Sequence, residues 1–182
     1  MKRTFLLFIC GCTSASGSAQ FQLPSFEPIA PMMEYREGHV MGTVPDGVLA
    51  IGGFDGTATT ASCEFYHTGD GLWTSVADLP APRQDATAPA LFENRVFVIG
   101  GWDGGATYYD DILQYDMDTD TWTPVATMSS GRAGHSSVLL SPPSILICGG
   151  YDGTQDLNSC DLFNTLTYEI TPTASLAVAR SS

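Results

Sequence analysis

Short apolar runs that end in paired glycines recur along the chain. The runs are GVLAIGG, RVFVIGG and SILICGG, and their first glycines lie 48 and 49 residues apart. A brief apolar run bounded by turn residues, with no helical period beyond it, is typical of a buried strand. The paired glycines are Gly52-Gly53, Gly100-Gly101 and Gly149-Gly150. A fixed period of this length indicates a repeated supersecondary unit.

Other features keep the same register in every unit. Each run is followed by an aromatic residue and then Asp-Gly. Further along each unit come two large apolar or aromatic residues, seven positions apart, and an arginine follows the second of them after ten positions. These pairs are Tyr66 with Trp73, Tyr115 with Trp122 and Phe163 with Ile170; the arginines are Arg83, Arg132 and Arg180, with Arg36 before the first unit. Turn residues divide each unit into four predicted strands. Strand a follows the arginine, b is the apolar run, c carries the first residue of the pair, and d begins at the second.

The arginines set the predicted boundaries. The units are residues 36–82, 83–131 and 132–179, residues 180–182 begin another, and strand a is predicted at 38–44, 86–92 and 134–140. The segment FEPIAPM at 26–32 aligns with WTPVATM at 122–128, so residues 20–35 are predicted to carry an extra outer strand. Four-stranded units bury their faces by packing radially as blades. Because propellers usually need about four blades or more, we expect an incomplete ring, part of a longer propeller or one that associates to close.

The units resemble kelch repeats. The marks of that family are the strand-ending Gly-Gly, the Asp-Gly after it, a tyrosine on the third strand and a tryptophan on the fourth. The resemblance covers residues 26–182, and the third unit departs from it at Phe163 and Ile170. It implies an all-β fold, a kelch-type β-propeller, which in complete family members is usually closed by about six blades.

The N-terminus has the layout of a secretory signal. Lys2-Arg3 precede an apolar run and then small residues, which predicts a signal peptide over residues 1–19 with cleavage after Ala19 or, alternatively, Ala15. The expected location is therefore secreted or periplasmic. A lipoprotein signal at Cys10 or Cys12 and an apolar first strand are the alternatives. The run is too short to span a bilayer, so no membrane span is expected.

Charge narrows the class of partner. The chain carries 20 acidic residues against seven basic ones, a formal net charge of −13, and 43% of its residues are hydrophobic. The hydrophobic fraction predicts a globular protein rather than a disordered one. A nucleic acid would be repelled by the net charge, so no nucleic-acid partner is expected.

Two groups of residues are candidates for ligand binding. The first is the loop aromatics that follow strand b, where aromatic faces beside carboxylates suit a sugar or a protein partner. They are Phe54, Trp102 and Tyr151, next to Asp55, Asp103 and Asp152, together with Tyr108 and Tyr109. The second is a ring of cations near the axis for an acidic peptide or sugar acid, namely Arg36, Arg83 and Arg132 with His39 and His135 nearby. The structural alternatives are that each aspartate caps its own turn, each aromatic packs on the next blade, and each arginine binds blade carbonyls.

The spacing of the residues excludes several kinds of binding and catalytic site. Trp102 stands at the third position of a would-be dinucleotide fingerprint, and no lysine follows to make a P-loop. Asp116, Asp118 and Asp120 begin like a calcium loop, but Thr121 and Thr127 replace the required Gly and Glu. No Gly-x-Ser-x-Gly or metal-ligand spacing occurs, so no cofactor, metal or catalytic residue is expected.

The cysteines beyond the signal leave two alternatives. Cys63 and Cys160 occupy the same place in different units, too far apart to bridge. Cys148 and Cys160 lie on adjacent predicted strands, so they either form a disulfide or remain buried free thiols.

The functional prediction is a secreted kelch-repeat binding module that recognises a protein or carbohydrate ligand through one rim of the propeller. The alternatives are a fragment of a propeller enzyme acting on sugars, similar to a sialic-acid epimerase or a sugar oxidase, and an intracellular kelch adaptor. Many activities share one propeller fold, so the site has to decide among them.

Overall fold

Antiparallel strands make up the regular structure of the chain. The computed structural model describes residues 28–90 and 94–182. The strands in this part are β1 Val40–Val44, β2 Gly47–Ile51, β3 Cys63–His67, β4 Trp73–Val76, β5 Arg95–Ile99, β6 Asp111–Asp116, β7 Thr121–Thr127, β8 Ser136–Ser141, β9 Ser144–Cys148, β10 Cys160–Asn164 and β11 Ile170–Thr173. The described residues contain no helix, and the all-β prediction is confirmed.

The strands form three sheets that follow the repeat units. Blade 1 has the order β1-β2-β3-β4, blade 2 the order β5-β6-β7, and blade 3 the order β11-β10-β9-β8. The register explains the constant spacing of seven residues, because the two members of each pair face each other across the last hairpin of a blade. The Tyr66 and Trp73 ring centroids are 5.2 Å apart, and those of Tyr115 and Trp122 are 4.8 Å apart.

Two predicted strands are not formed in the described residues. The predicted strand a of blade 2 pairs only through a bridge between Thr87 and Ile99, and Pro89 then supplies no N–H for a ladder. Residues 91–93 of that segment lie outside the described residues. Residues 28–32 of the predicted N-terminal outer strand have no strand pairing, and Pro31 lacks the amide hydrogen that Thr127 carries at the aligned position of β7.

Residues 28–32 nevertheless lie where the alignment places an outer strand. The indole nitrogen of Trp73 donates to the carbonyl of Ala30 at 2.9 Å. The indole nitrogen of Trp122 donates in the same way to the carbonyl of Ala77, also at 2.9 Å. Ala30 therefore holds the position relative to blade 1 that Ala77, just beyond β4, holds relative to blade 2.

The core lies between the blades. On β5, Val96 and Val98 pack towards blade 1, whereas Phe97 and Ile99 pack towards blade 3. The alternation of side chains along a strand gives blade 2 two buried faces, so β5 reads as a continuous apolar run. The Phe97 ring meets Phe163 of blade 3 edge to face, with centroids 5.3 Å apart. Fully burying one such side chain contributes about 1.5–3 kcal/mol, so the two interfaces hold the blades together.

The cysteines adopt one of the two predicted arrangements. Cys148 and Cys160 face each other on β9 and β10 and form a disulfide within blade 3. Cys63 is free and buried, and burial raises the pKa of its thiol to about 12. Cys63 is thus held as a neutral thiol in the core between blades 1 and 2.

The double glycines mark the points where one unit joins the next. The N–H of the second glycine donates to an arginine carbonyl, from Gly53 to Arg83 and from Gly101 to Arg132, at 2.9 Å in both cases. The first glycine has a left-handed backbone, with φ of 59° at Gly52 and 60° at Gly100. A Cβ at Gly100 would collide with the Arg132 carbonyl oxygen, so both the conformation and the space require glycine.

We expect Gly100→Ala to lower the free energy of unfolding by about 2 kcal/mol or more, because left-handed strain and the collision with Arg132 add together. Gly69→Ala is the matched control, since a Cβ there meets nothing within 4 Å, and its effect should stay within about 0.5 kcal/mol. Urea unfolding of both variants measures the difference, and equal stabilities would contradict this account of the paired glycines.

Candidate functional site

The predicted ring of arginines is buried. Arg36, Arg83 and Arg132 have relative exposures of 6%, 2% and 0%. Each guanidinium donates to the carbonyl of the first glycine of a unit, at 2.9 Å to Gly52, 3.1 Å to Gly100 and 3.1 Å to Gly149. These contacts match the structural alternative, in which each arginine binds blade carbonyls.

Each of these arginines also has a carboxylate partner on strand c of the blade it enters. Arg36 pairs with Glu64 at 2.9 Å, Arg83 with Asp111 at 2.6 Å, and Arg132 with Asp161 at 3.1 Å. Glu64 and Asp161 are equivalent positions, whereas Asp111 lies two residues earlier in its unit. Residues two apart on a strand share a face, so all three carboxylates meet their arginine from the same side.

Enclosure removes the three arginines from the residues that can touch a ligand. Tyr109 adds to it, because its ring lies over Arg83, with 4.1 Å from the guanidinium carbon to the ring centroid. The Tyr109 hydroxyl donates to the Pro82 carbonyl at 3.1 Å. Tyr109 therefore covers an internal cation, although its sequence position grouped it with the loop aromatics that are candidates for ligand binding.

The two histidines of this region are held neutral. His135 is buried, and the Nε2 atom lies 2.8 Å from the Thr87 hydroxyl of blade 2. Burial and then the charge of Arg132 lower the pKa of His135 to about 3. His39 is half-buried, and burial followed by the charge of Arg36 lowers its pKa as well. Neither imidazole is poised to carry a proton near neutral pH.

Three of the predicted loop aromatics form one cluster across blades 2 and 3. The Trp102 and Tyr108 rings are stacked, with centroids 6.0 Å apart and an interplanar angle of 20°. The Tyr108 ring meets Tyr151 edge to face at 5.6 Å. The Tyr108 ring also lies on the bare backbone of Gly153, where a Cβ would come within 2.9 Å of it. Phe54, the equivalent residue of blade 1, has no ring contact with this cluster.

The aspartates beside these aromatics hold their own turns. One oxygen of each carboxylate accepts two backbone N–H groups, in Asp55 from Thr57 and Ala58 at 2.7 and 2.8 Å. Asp103 and Asp152 do the same in their loops. Hydrogen bonding to the charged form lowers the pKa of all three carboxyls, which keeps them ionised. The caps fix the loops that present Trp102 and Tyr151.

A cavity of about 260 Å³ opens beside the aromatic cluster. Its lining comes from the loops after strand b and from the connections that follow strand d, and consists of Asp85, Trp102, Tyr108, Ala133, Gly134, Tyr151, Ser181 and Ser182. We call this side of the molecule the loop face. A larger cavity of about 390 Å³ lies in blade 1 against Thr43, Val44, Pro45 and Gly47, where no side chain is ionisable. The smaller cavity is therefore the better candidate for specific recognition.

Asp85 is the site residue that sequence reasoning missed. Residues two positions after each arginine form a chain of backbone hydrogen bonds around the axis, from Asp85 N to Gly38 O, Gly134 N to Asp85 O and Ser182 N to Gly134 O, at 2.9–3.0 Å. Gly38 and Gly134 have φ of 59° and 58°, and Asp85 has φ of 53°. An aspartate at a position where two other units have glycine was the available signal.

The Asp116, Asp118 and Asp120 triplet is explained by local contacts. Asp116 accepts the N–H groups of Asp118 and Thr119, which closes the hairpin between β6 and β7. The Asp120 carboxylate accepts the Tyr115 hydroxyl at 2.6 Å and the Ala77 N–H at 2.8 Å. The second bond ties blade 2 to blade 1, so Asp120 serves an interface between blades.

Comparison with known proteins decides the family. The family model described as "KLHDC2/KLHL20/DRC7 Kelch-repeats domain" matches residues 16–150. The chain belongs to the kelch-repeat family. Kelch-like protein 36 of Bos taurus is 30% identical over 142 residues, which cover 78% of this chain and 22% of that protein.

Two further relatives agree. Kelch repeat-containing protein kel-10 of Caenorhabditis elegans is 30% identical over 143 residues, 75% of this chain and 25% of that protein. Kelch-like protein 25 of Xenopus tropicalis is 25% identical over 188 residues, 91% of this chain and 31% of that protein. The kelch chain thus spans between 22% and 31% of the length of these three relatives.

The relatives correct one expectation and agree with another. The expected secreted or periplasmic location is wrong, because kelch-like proteins are typically intracellular adaptors. The predicted signal peptide at 1–19 lies outside the described residues. Kelch-like relatives are interaction proteins, in agreement with the expectation that the chain is not an enzyme. Within residues 28–90 and 94–182, no helix is long and apolar enough to cross a membrane.

We expect Arg132→Ala to lower the free energy of unfolding by about 3 kcal/mol or more, because it leaves the Asp161 carboxylate buried without its cation. Arg180→Ala is the matched control, since Arg180 is the same repeat position with an exposed side chain. Its stability should change by less than about 0.5 kcal/mol. Urea unfolding of both variants measures the two changes in stability. Equal losses of stability would contradict a stabilising role for the ion pair between Arg132 and Asp161.

The buried His135 predicts a loss of stability in mild acid. Its folded-state pKa of about 3 lies below the usual 6.5, so its contribution is complete above pH 6.5 and falls as the pH drops towards 3. One such group costs about 1.4 kcal/mol per pH unit in this window. Between pH 7.5 and pH 5, the wild type should lose about 2 kcal/mol more than His135→Gln, whose amide does not titrate. The free energy of unfolding of both proteins is measured by urea unfolding at the two pH values. Equal losses of stability in the wild type and His135→Gln would contradict the lowered pKa of His135.

Proposed function

We propose that the kelch repeats of this chain form a protein-interaction module whose partner binds the loop face at Trp102, Tyr108 and Tyr151. The observation that carries the proposal is the contact of these three rings beside the cavity between blades 2 and 3. Aromatic residues gathered in one place at an exposed concavity are the common anchors of protein interfaces. The family supports a role in protein binding.

Rigidity of the cluster supports the same proposal. Trp102 is fixed by a bond from its indole nitrogen to the Gly105 carbonyl at 2.9 Å. Tyr108 is held between Trp102, Tyr151 and the backbone of Gly153. Side chains that are already ordered lose little conformational entropy when a partner binds. The surface is thus prepared for binding before the partner arrives.

The intracellular adaptor is the setting we propose for this module, since it agrees better with kelch-like relatives than a secreted binder does. An adaptor of this kind recognises a segment of another protein and has no chemistry of its own. A carbohydrate ligand would also stack on aromatic faces, so the experiment includes it as a competing outcome.

The test uses the 182-residue chain and a displayed library of random twelve-residue peptides, beside a glycan array. Peptides selected on the wild type should bind Tyr108→Ala at least about 10-fold more weakly, as expected for a central anchor. Phe54→Ala is the matched control, because it removes the equivalent aromatic from blade 1, and should retain at least half of the affinity. Surface plasmon resonance measures both. Selected peptides that bind Tyr108→Ala normally, or binding to glycans alone, would overturn the proposal.

A further inference from the structure

Asp85 adopts a backbone conformation that is uncommon for residues other than glycine. Its φ of 53° is left-handed, at a position where two other units have glycine. A side chain in this conformation is strained, and such strain persists at functional sites when the surrounding structure enforces it. The fold itself does not need the carboxylate, because the Asp85 N–H and carbonyl alone make the hydrogen bonds to Gly38 and Gly134.

Asp85 is exposed, and its carboxylate has no hydrogen-bond donor from the described part of the protein. Among the described residues, no N–H, hydroxyl or cation makes a hydrogen bond or ion pair with it, although it lines the cavity with Trp102, Tyr108 and Tyr151. It also passes over Gly38, where a Cβ would lie 2.9 Å from its Oδ1 atom. Partial desolvation and then the Glu37 carboxylate raise the pKa of Asp85, as expected of an anion that has no counter-charge in the free protein.

Asp85 is the only charged side chain among the described residues that line the cavity. Tyr108 is surrounded by Asp85, Asp103 and Asp152, whose charges, after desolvation and Tyr151, raise the pKa of its phenol. The arginines beneath are paired with Asp111 and Asp161. Arg180, which is exposed, lines a neighbouring cavity rather than this one. An anionic ligand would be repelled here, whereas a cationic one would gain from the Asp85 carboxylate.

We infer that the cavity between blades 2 and 3 receives the cationic side chain of a lysine or arginine from a protein partner, with Asp85 as counter-ion and Trp102, Tyr108 and Tyr151 as the aromatic wall. This inference rests on the proposed function of the loop face and names the chemistry of the partner. A cation gains from aromatic faces and from a carboxylate together. The cavity, at about 260 Å³, accepts the end of one long side chain.

The first experiment uses Nα-acetyl-lysine methylamide as the probe. Its norleucine counterpart has the same chain without the charge, and methyl glucoside represents a sugar. ¹⁵N-labelled protein should show the Trp102 indole signal moving with the lysine probe at millimolar concentration, and at least fivefold less with the other two. Raising NaCl from 30 to 300 mM should weaken lysine binding at least threefold. Equal binding of the norleucine probe, or preference for the glucoside, would overturn the inference.

Two variants of Asp85 separate a binding role from a structural one. Asp85→Asn should reduce lysine binding at least fivefold, whereas Asp46→Asn, which removes an equal charge from the turn between β1 and β2, should not. Asp85→Gly should also abolish the preference for lysine while raising the Tm by a few degrees, because glycine adopts φ of 53° without strain. A lower Tm, or unchanged lysine binding in both Asp85 variants, would overturn the inference.

The selected peptides distinguish this inference from the proposed function. Peptides enriched in lysine or arginine that lose affinity on both Tyr108→Ala and Asp85→Gly support both. Peptides that depend on Tyr108 but neither contain these residues nor respond to Asp85→Gly overturn only the cationic partner. Peptides that ignore Tyr108 overturn the proposed function, and the lysine titration then decides the cation site alone.

Discussion

The buried arginine at each junction is the interaction on which the arrangement of blades depends. The Arg83 carbonyl accepts the Gly53 N–H of blade 1 while its guanidinium enters blade 2, and Arg132 repeats this between blades 2 and 3. A guanidinium without exposed surface needs a carboxylate and carbonyl acceptors, and the terminal nitrogens of Arg83 and Arg132 meet both, although their Nε atoms have no hydrogen-bond partner among the described residues. Those partners lie at the ends of strands b and c, so each arginine connects the strand ends of one blade to the paired glycines where two blades meet.

The loop face is rigid because its loops are held at these junctions. Each b-to-c loop starts at a paired glycine, is closed by an aspartate cap, and pairs with the chain just after an arginine, as Trp102 does with Gln84. The cluster of Trp102, Tyr108 and Tyr151 therefore rests on fixed backbone although it lies in loops. Binding residues on loops held by a rigid scaffold are a common arrangement. Arg36, Arg83 and Arg132 are buried, and no cationic side chain lines the cavity of this surface among the described residues, which leaves the Asp85 carboxylate as the charged group there.

Electrostatics thus divides the molecule into an interior and a surface with different roles. Arg36, Arg83 and Arg132 are neutralised by Glu64, Asp111 and Asp161 inside the blades. Asp85 remains on the loop face with no such partner among the described residues. A strongly acidic composition does not reveal this division, because net charge carries no information on which carboxylates are paired. The left-handed backbone of Asp85 and its unpaired carboxylate lie at the same cavity. For this reason the proposed partner carries a positive charge.

The sequence by itself determined the repeat, the order of strands and the family resemblance, since apolar runs, glycine pairs and turn residues act locally and recur at one period. In the sequence, Tyr66 and Trp73 are related only by a spacing of seven residues. The structure explains this spacing, because the two residues face each other across a hairpin. The tertiary structure decided which charged residues are buried, which aromatics meet, and that Tyr109 covers Arg83. It also showed that two predicted strands are not formed in the described residues. These outcomes depend on the packing of one blade against the next, and residues about 50 positions apart become neighbours only when the blades assemble.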